Sequence, residues 1–309
     1  MLFLVETVIS GLLVGIMYSL VALGFVLIYK ASGVFNFAQG VMALFAALTL
    51  VGLMTGTIPF THAKNPDLAM PAWLAIIVTI AVMVILAWLI ERFILRHLIN
   101  QEPIILFMAT LGLAYILEGL GDILWGSDVK VLNLGLPQGA SDFLLDNFGL
   151  YIEKVEIVAA VLATVLVITL AIFFQKTRIG RALRAVADDN QAALSVGISL
   201  RSIWVIVWSV AGMVALVAGI IWGTKSGIQF SLSLIALKAL PVLILGGFDS
   251  IPGVIIGGLI IGVGEKVAEI YAGPIIGGAI ENWFAYMLAL AFLLIRPQGL
   301  FGEKIIERI

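Results

Sequence analysis

A few side chains in this sequence can act on a solute without making or breaking a bond. Asn36 and Gln39 bring carboxamides, Lys238 an ammonium and Asp249 a carboxylate, all in or beside long apolar runs. A carboxamide offers both donors and acceptors, and a charge inside an apolar run is costly unless it faces protein, a cavity or an interface. Asn36 and Gln39 lie in the break KASGVFNFAQG, residues 30–40, and Asp249 in the break GGFDSIPG, residues 246–253. Irregular backbone at membrane depth is tolerated where it is buried in protein or lines a cavity, so both breaks read as loops or discontinuous helices beside a translocation path. The same groups would equally serve as helix caps at the membrane interface. Gly33-x-Phe35-Asn36-x-x-x-Gly40-Val41 matches Gly246-x-Phe248-Asp249-x-x-x-Gly253-Val254, which points to an internal repeat. Coincidence is the competing explanation in a chain with 32 glycines, and the order of spans puts both breaks on the cytoplasmic side, where an inverted repeat would separate them.

Positive charge concentrates elsewhere, in QKTRIGRALRAVADDNQAALSVGISLR, residues 175–201, with Lys176, Arg178, Arg181, Arg184 and Arg201. Lys and Arg in a short loop between apolar spans mark the cytoplasmic side. Asp188 or Asp189 is a suitable N-cap, residues 190–196 a short helix, and Gly197 its C-terminal stop. Leu183, Val186, Ala193, Leu194 and Ile198 recur at helical spacing and give the loop an apolar face. Two readings stay open: a solvated basic loop, or a docking element for a soluble cytoplasmic partner.

The elements around these residues are membrane spans. With 62% hydrophobic and 12% charged residues, and a mean hydropathy of +1.18, the chain is no soluble globular domain. The fold class is an all-α integral membrane protein of about 8–10 transmembrane helices with discontinuous segments, forming a single transmembrane domain over residues 1–309. The first apolar run lacks a basic n-region and is too long for a signal-peptide core, so it reads as a spanning helix with its N-terminus outside. Glu91, Arg92, Arg96 and His97 close the third span on the cytoplasmic side, and Lys304 and Arg308 place the tail there. Residues 126–154 form the longest external segment, with an apolar patch at Phe143, Leu144 and Leu145, and the segment is expected to fold back onto the outer face, where a soluble partner could touch it. Glu265 and Glu269, four residues apart, share a helix face that either meets a basic group or lies near the external end.

Several chemistries are missing. The sequence contains no GxxxxGK[ST], HExxH or GxSxG and no cysteine, and His62 and His97 stand alone in loops. Catalytic and metal sites are therefore assigned to no residue, no cofactor is expected, and energy for transport must come from a partner or a gradient.

Four blocks in order, residues 11–40, 181–198, 237–265 and 295–302 (IRPQGLFG), resemble the permeases of branched-chain amino acid ABC importers, most closely the H-type subunit. The resemblance implies a permease subunit in the bacterial inner membrane that forms the translocation pathway for branched-chain or other hydrophobic or neutral amino acids. The implied partners are two cytoplasmic ATPase subunits, a related M-type permease and an external solute-binding protein, with the lipid bilayer around them and no nucleic acid. It also implies that residues 176–201 are the cytoplasmic coupling loop, with Arg181, Arg184, Ala187, Asp188, Asp189, Leu194 and Gly197 as coupling residues. Asn36, Gln39, Lys238 and Asp249 are then the pathway-adjacent groups. Lys30 and Gln39 depart from the glycine and histidine common in relatives, and members of the family also carry urea, amides and organic acids. The alternative class is a gradient-driven secondary transporter of a small solute, motivated by Lys238 and the paired breaks.

Overall fold

The computed structural model describes residues 2–33, 35–98, 101–188 and 190–302. Its helices are α1 (Leu2–Ser32), α2 (Gln39–Thr55), α3 (Ala72–Phe93), α4 (Pro103–Trp125), α5 (Asp142–Phe148), α6 (Lys154–Lys176), α7 (Arg178–Asp188), α8 (Asn190–Ser195), α9 (Leu200–Ser226), α10 (Ile235–Gly246), α11 (Ile251–Tyr271), α12 (Gly273–Ile276) and α13 (Phe284–Ile295). Among the described residues, β-structure is limited to isolated bridges. Among the described residues, six helices are long and apolar enough to span a bilayer, and three shorter apolar helices, α2, Phe230–Gly246 and α13, bring the apolar segments into the expected range of about 8–10. Proline sets several starts: Pro71 precedes α3, and Pro103 and Pro252 stand in the first turns of α4 and α11, where a missing N–H costs nothing.

The chain divides into two compact units. One comprises Met1–Val26, Gly135–Ile168 and Leu237–Ile309. Its core is a close crossing of α1 and α11. A Cβ on Gly15 would stand 2.4 Å from the Gly258 carbonyl oxygen, and one on Gly262 would stand 2.4 Å from that of Gly11. Ser19 fastens the crossing by donating to the Val254 carbonyl at 3.0 Å. Apolar area does little to drive helices together in lipid, so backbone approach through small residues and an interhelical hydrogen bond carries the association.

The other unit comprises Leu27–Leu134 and Thr169–Ala236. Here α2 is the central element, packed by α3, α4 and α9. Every α2 residue from Gln39 to Gly52 is buried. Such a helix can be apolar on all sides because protein surrounds it.

Within residues 135–153, the apolar patch of α5 is not the anchor. Leu150 and Ile152 are buried, but Phe143, Leu145 and Phe148 of α5 remain exposed. The turn is held instead by the Ala140–Glu153 bridge and by the Ser141 N–H donating to the Ile152 carbonyl at 2.9 Å. Before α13, Ala279 adopts a left-handed φ of 53° and a 3-10 turn follows at Ile280–Asn282.

Candidate functional site

The first break is a short irregular stretch between α1 and α2, and the Asn36 and Gln39 side chains are engaged within the second unit. Asn36 and Gln39 are 0% and 1% exposed. Asn36 Oδ1 accepts from the Ala38 N–H at 3.1 Å, the Asx turn that lets the chain re-enter a helix. Its Nδ2 faces Gln39 Oε1 at 3.4 Å, and Gln39 Nε2 donates to the Ala211 carbonyl of α9 at 3.2 Å. Thr110 of α4 clasps the other side: its Oγ1 accepts from the Phe37 N–H at 3.1 Å and donates toward the Phe35 carbonyl at 3.2 Å. Phe107 packs on Phe35 and Phe37 at ring-centre distances of 6.3 and 6.0 Å. Trp204 Nε1 donates to the Ala31 carbonyl at 3.3 Å, satisfying the end of α1. Burial favours these bonds, since an irregular backbone away from water must find its partners in protein. Thr110, Phe107 and Trp204 carry no sequence signal of this role.

The second break lies in the first unit, between α10 and α11. α10 ends at Gly246, Gly247 turns the chain at φ 102°, and Ser250 accepts from the Gly253 N–H at 3.0 Å to open α11. Asp249 lies in this turn, half-buried. The segment after α13 closes the end of α10, because the N–H groups of Leu300 and Phe301 donate to the carbonyls of Leu245 and Gly246 at 2.8 and 3.2 Å. Two stretches singled out in the sequence, GGFDSIPG and RPQGLFG, are thus one piece of structure. Asn36 and Gln39 belong to one unit, Lys238 and Asp249 to the other.

Lys238 stands in the first turn of α10, with Nζ 4.0 Å from Glu265 Oε1 on α11. Glu265 also hydrogen-bonds the Tyr18 hydroxyl of α1. Glu269, four residues on, is engaged differently, its carboxylate accepting from the Ala279 and Glu281 N–H groups at 3.0 and 2.9 Å. Lys266 pairs with Glu281 at 3.3 Å. The basic group that Glu265 meets is therefore Lys238, which sequence spacing alone does not connect to it.

The basic loop folds as α7 and α8. α8 spans residues 190–195, and Gly197 at φ 83° ends it, with the Ile198 N–H returning to the Ala193 carbonyl at 3.0 Å. α7 (Arg178–Asp188) precedes the short helix read from residues 190–196, and arginines recur at every third position along α7. They leave Leu183 and Val186 on one side, both 1% exposed. Arg184 donates to the carbonyls of Phe174 and Gln175, and Arg181 to that of Lys176 at 3.4 Å. Both arginines thereby cap the C-terminal end of α6, where orphan carbonyls and the helix dipole favour a cation. Ala193 is buried, but Leu194 and Val196 are 53% and 76% exposed and Ala187 is exposed as well. Asp189, the Asp188 side chain and the tail residues Lys304 and Arg308 lie outside the described residues.

At the far end of α2, Thr55, Thr57, His62, Lys64, Asp128 and Lys130 surround a cavity of about 370 Å³. Among the described residues no group of histidines and carboxylates is arranged to hold a metal.

Interrupted spanning helices, an ion pair among them and an amphipathic basic loop define an integral, multi-pass membrane permease subunit. The family described as "Branched-chain amino acid transport system / permease component" matches residues 7–296, and the chain belongs to it. Over 324 residues the chain is 26% identical to the high-affinity branched-chain amino acid transport system permease protein LivH of Escherichia coli K12, covering 100% of this chain and 98% of the relative. It is 28% identical over 313 residues to the corresponding BraD protein of Pseudomonas aeruginosa, covering 98% and 97%. A probable branched-chain amino acid transport permease protein LivH of Methanocaldococcus jannaschii is 29% identical over 291 residues, covering 92% and 88%. Among solved structures, PsaBC from Streptococcus pneumoniae in complex with Fab is similar at a TM-score of 0.47 and 15% identity, covering 93% of this chain and 89% of that one. The protein is a multi-pass component of the bacterial inner membrane.

Proposed function

We propose that this chain forms the translocation pathway of an ATP-driven importer for branched-chain or other hydrophobic or neutral amino acids, and is itself no enzyme. The observation that carries the reading is the half-docked loop. Leu183, Val186 and Ala193 are buried in the chain's own unit, Arg181 and Arg184 tie α7 to the end of α6, and Leu194 and Val196 stay exposed at the tip. A rigidly seated element with an uncovered apolar tip is built to receive a partner and pass on its movement. The partners are two cytoplasmic ATPase subunits on the loop of residues 176–201, a related M-type permease beside the spans and a solute-binding protein outside. Residues 1–309 act as a single permease domain, and nucleotide-dependent closure of the ATPases biases its two access states through α8. Asn36, Gln39, Lys238 and Asp249 are the polar groups next to the path, with Asn36 and Gln39 fixing the backbone of the break.

The test is Leu194→Asp combined with Val196→Asp. Uptake of labelled leucine and co-purification of the ATPase should both fall by about tenfold or more, the scale of a lost hot spot, while the chain still inserts in the membrane. Uptake and co-purification at the unaltered level would refute the coupling role.

A further inference from the structure

We propose that Lys238 and Glu265 form a transit station for a zwitterion, recognising the α-carboxylate and α-ammonium groups of the transported amino acid. The inference rests on the proposed function above and adds the residues that read the solute's charged end.

Both residues sit in membrane helices, where a charge is expensive and marks function unless it is consumed by structure. The neighbouring charges are consumed in that way. Lys266 pairs with Glu281, and Glu269 holds two backbone N–H groups of the turn before α13. Lys238 and Glu265 are not. Their 4.0 Å separation leaves Coulomb attraction without a hydrogen bond, and among the described residues the Lys238 ammonium donates none. A lysine brings three donors and a carboxylate about four acceptor positions, and Tyr18 occupies only part of the latter. The pair is attractive but unsaturated.

Exposure is graded across it. The Lys238 side chain is 30% exposed and that of Glu265 2%, so an arriving solute meets the ammonium first. Its carboxylate draws Lys238 off, and its own ammonium takes the vacated place on Glu265. One loose ion pair becomes two charge-assisted hydrogen bonds of about 2.7–2.9 Å, and the buried carboxylate never lacks a cation. The arrangement is neutral as a whole, so it accepts a neutral zwitterion without leaving net charge in the membrane. A solute lacking either charged group would strand one member of the pair.

The frame around the station is fixed while the lysine stem is mobile. Tyr286 Oη donates to the Leu237 carbonyl at 2.6 Å, pinning the residue before Lys238. Ser19 fixes the register of α1, which carries Tyr18, against α11, which carries Glu265.

The experiment uses the assembled transporter and measures leucine uptake per assembled complex. The wild type is compared with the double variant Lys238→Met/Glu265→Gln and with Lys238→Arg. Removing both charges together leaves no unpaired ion, so a pair that only holds helices would tolerate the double change. A transit station would not: uptake should fall by on the order of tenfold or more in the double variant and stay within about threefold in Lys238→Arg. Uptake by the double variant within about threefold of wild type would overturn the station. So would an equal loss in Lys238→Arg, which would place the fault in packing. Wild-type complex that moves no leucine at all would instead sink the transport reading on which the station rests.

Discussion

The Tyr286 hydroxyl donates to the carbonyl of Leu237 at 2.6 Å, and that carbonyl is the one left without a helical partner by Pro241. Proline has no N–H, so the acceptor four residues earlier in α10 goes unpaired and must be satisfied from outside the helix. Tyr286→Phe should therefore lower stability in detergent by about 1–2 kcal/mol. In a Pro241→Ala background, where the helix supplies its own donor, the same change should cost much less. A double-mutant cycle on thermal unfolding measures the difference, and equal costs in the two backgrounds would disprove the coupling.

The same relationship shows where the sequence stops being informative. Pro241 in an apolar run announces that a carbonyl needs a donor, but it does not say that the donor is Tyr286, 45 positions later. Long apolar runs, prolines at helix starts and loop charges are local signals, so the spans and the basic loop are legible. Asn36 and Gln39 stand out because amides in oil are conspicuous. Thr110 and Trp204, which complete that break from α4 and α9, are ordinary residues in ordinary helices, and only their distance from Phe35, Phe37 and Ala31 reveals them. α7 shows its polar face in the arginines and its buried face in Leu183 and Val186, but not the α6 carbonyls on which Arg181 and Arg184 close.

Glycines separate sharply by position. Gly15→Leu should cost on the order of 3 kcal/mol or more and reduce the yield of folded protein, because the added carbon meets the Gly258 backbone, which cannot rotate away. Gly112 of α4 has nothing within 4 Å of an added Cβ, so Gly112→Ala should leave stability unchanged or raise it by up to about 1 kcal/mol. Thermal stability of the two variants, measured side by side, checks the contrast.

Arg184 holds the loop by its guanidinium on the last carbonyls of α6. Arg184→Met keeps the stem and removes the donors. Amide exchange across α7 should then accelerate by about tenfold, corresponding to roughly 1.4 kcal/mol of local opening energy, while exchange in the core of α9 stays slow. Arg184→Lys should fall between, since an ammonium retains the charge but not the fork. Equal protection of α7 in all three proteins would show that Leu183 and Val186 alone seat the helix.

Outside the spans, Asp142 at the start of α5 accepts a 2.7 Å hydrogen bond from Lys154 at the start of α6. That bond, with the attraction of the same ammonium, holds the Asp142 carboxyl below the usual carboxylate range. A depressed value in the folded state means stabilisation that is present above the unfolded value of about 3.9 and lost as pH falls through the folded one. Asp142 is exposed, so solvent screens the pair and its contribution to global stability is small. Its effect is local, on the turn bridged by Ala140 and Glu153. Lys154→Met should return Asp142 to an ordinary titration, seen in the carboxyl carbon shift of isotopically labelled aspartate. It should also speed proteolysis within residues 135–153 at neutral pH, with the difference from wild type vanishing below the folded value. An unchanged midpoint, or a difference that persists in acid, would mean that the pair contributes nothing to ordering this external turn.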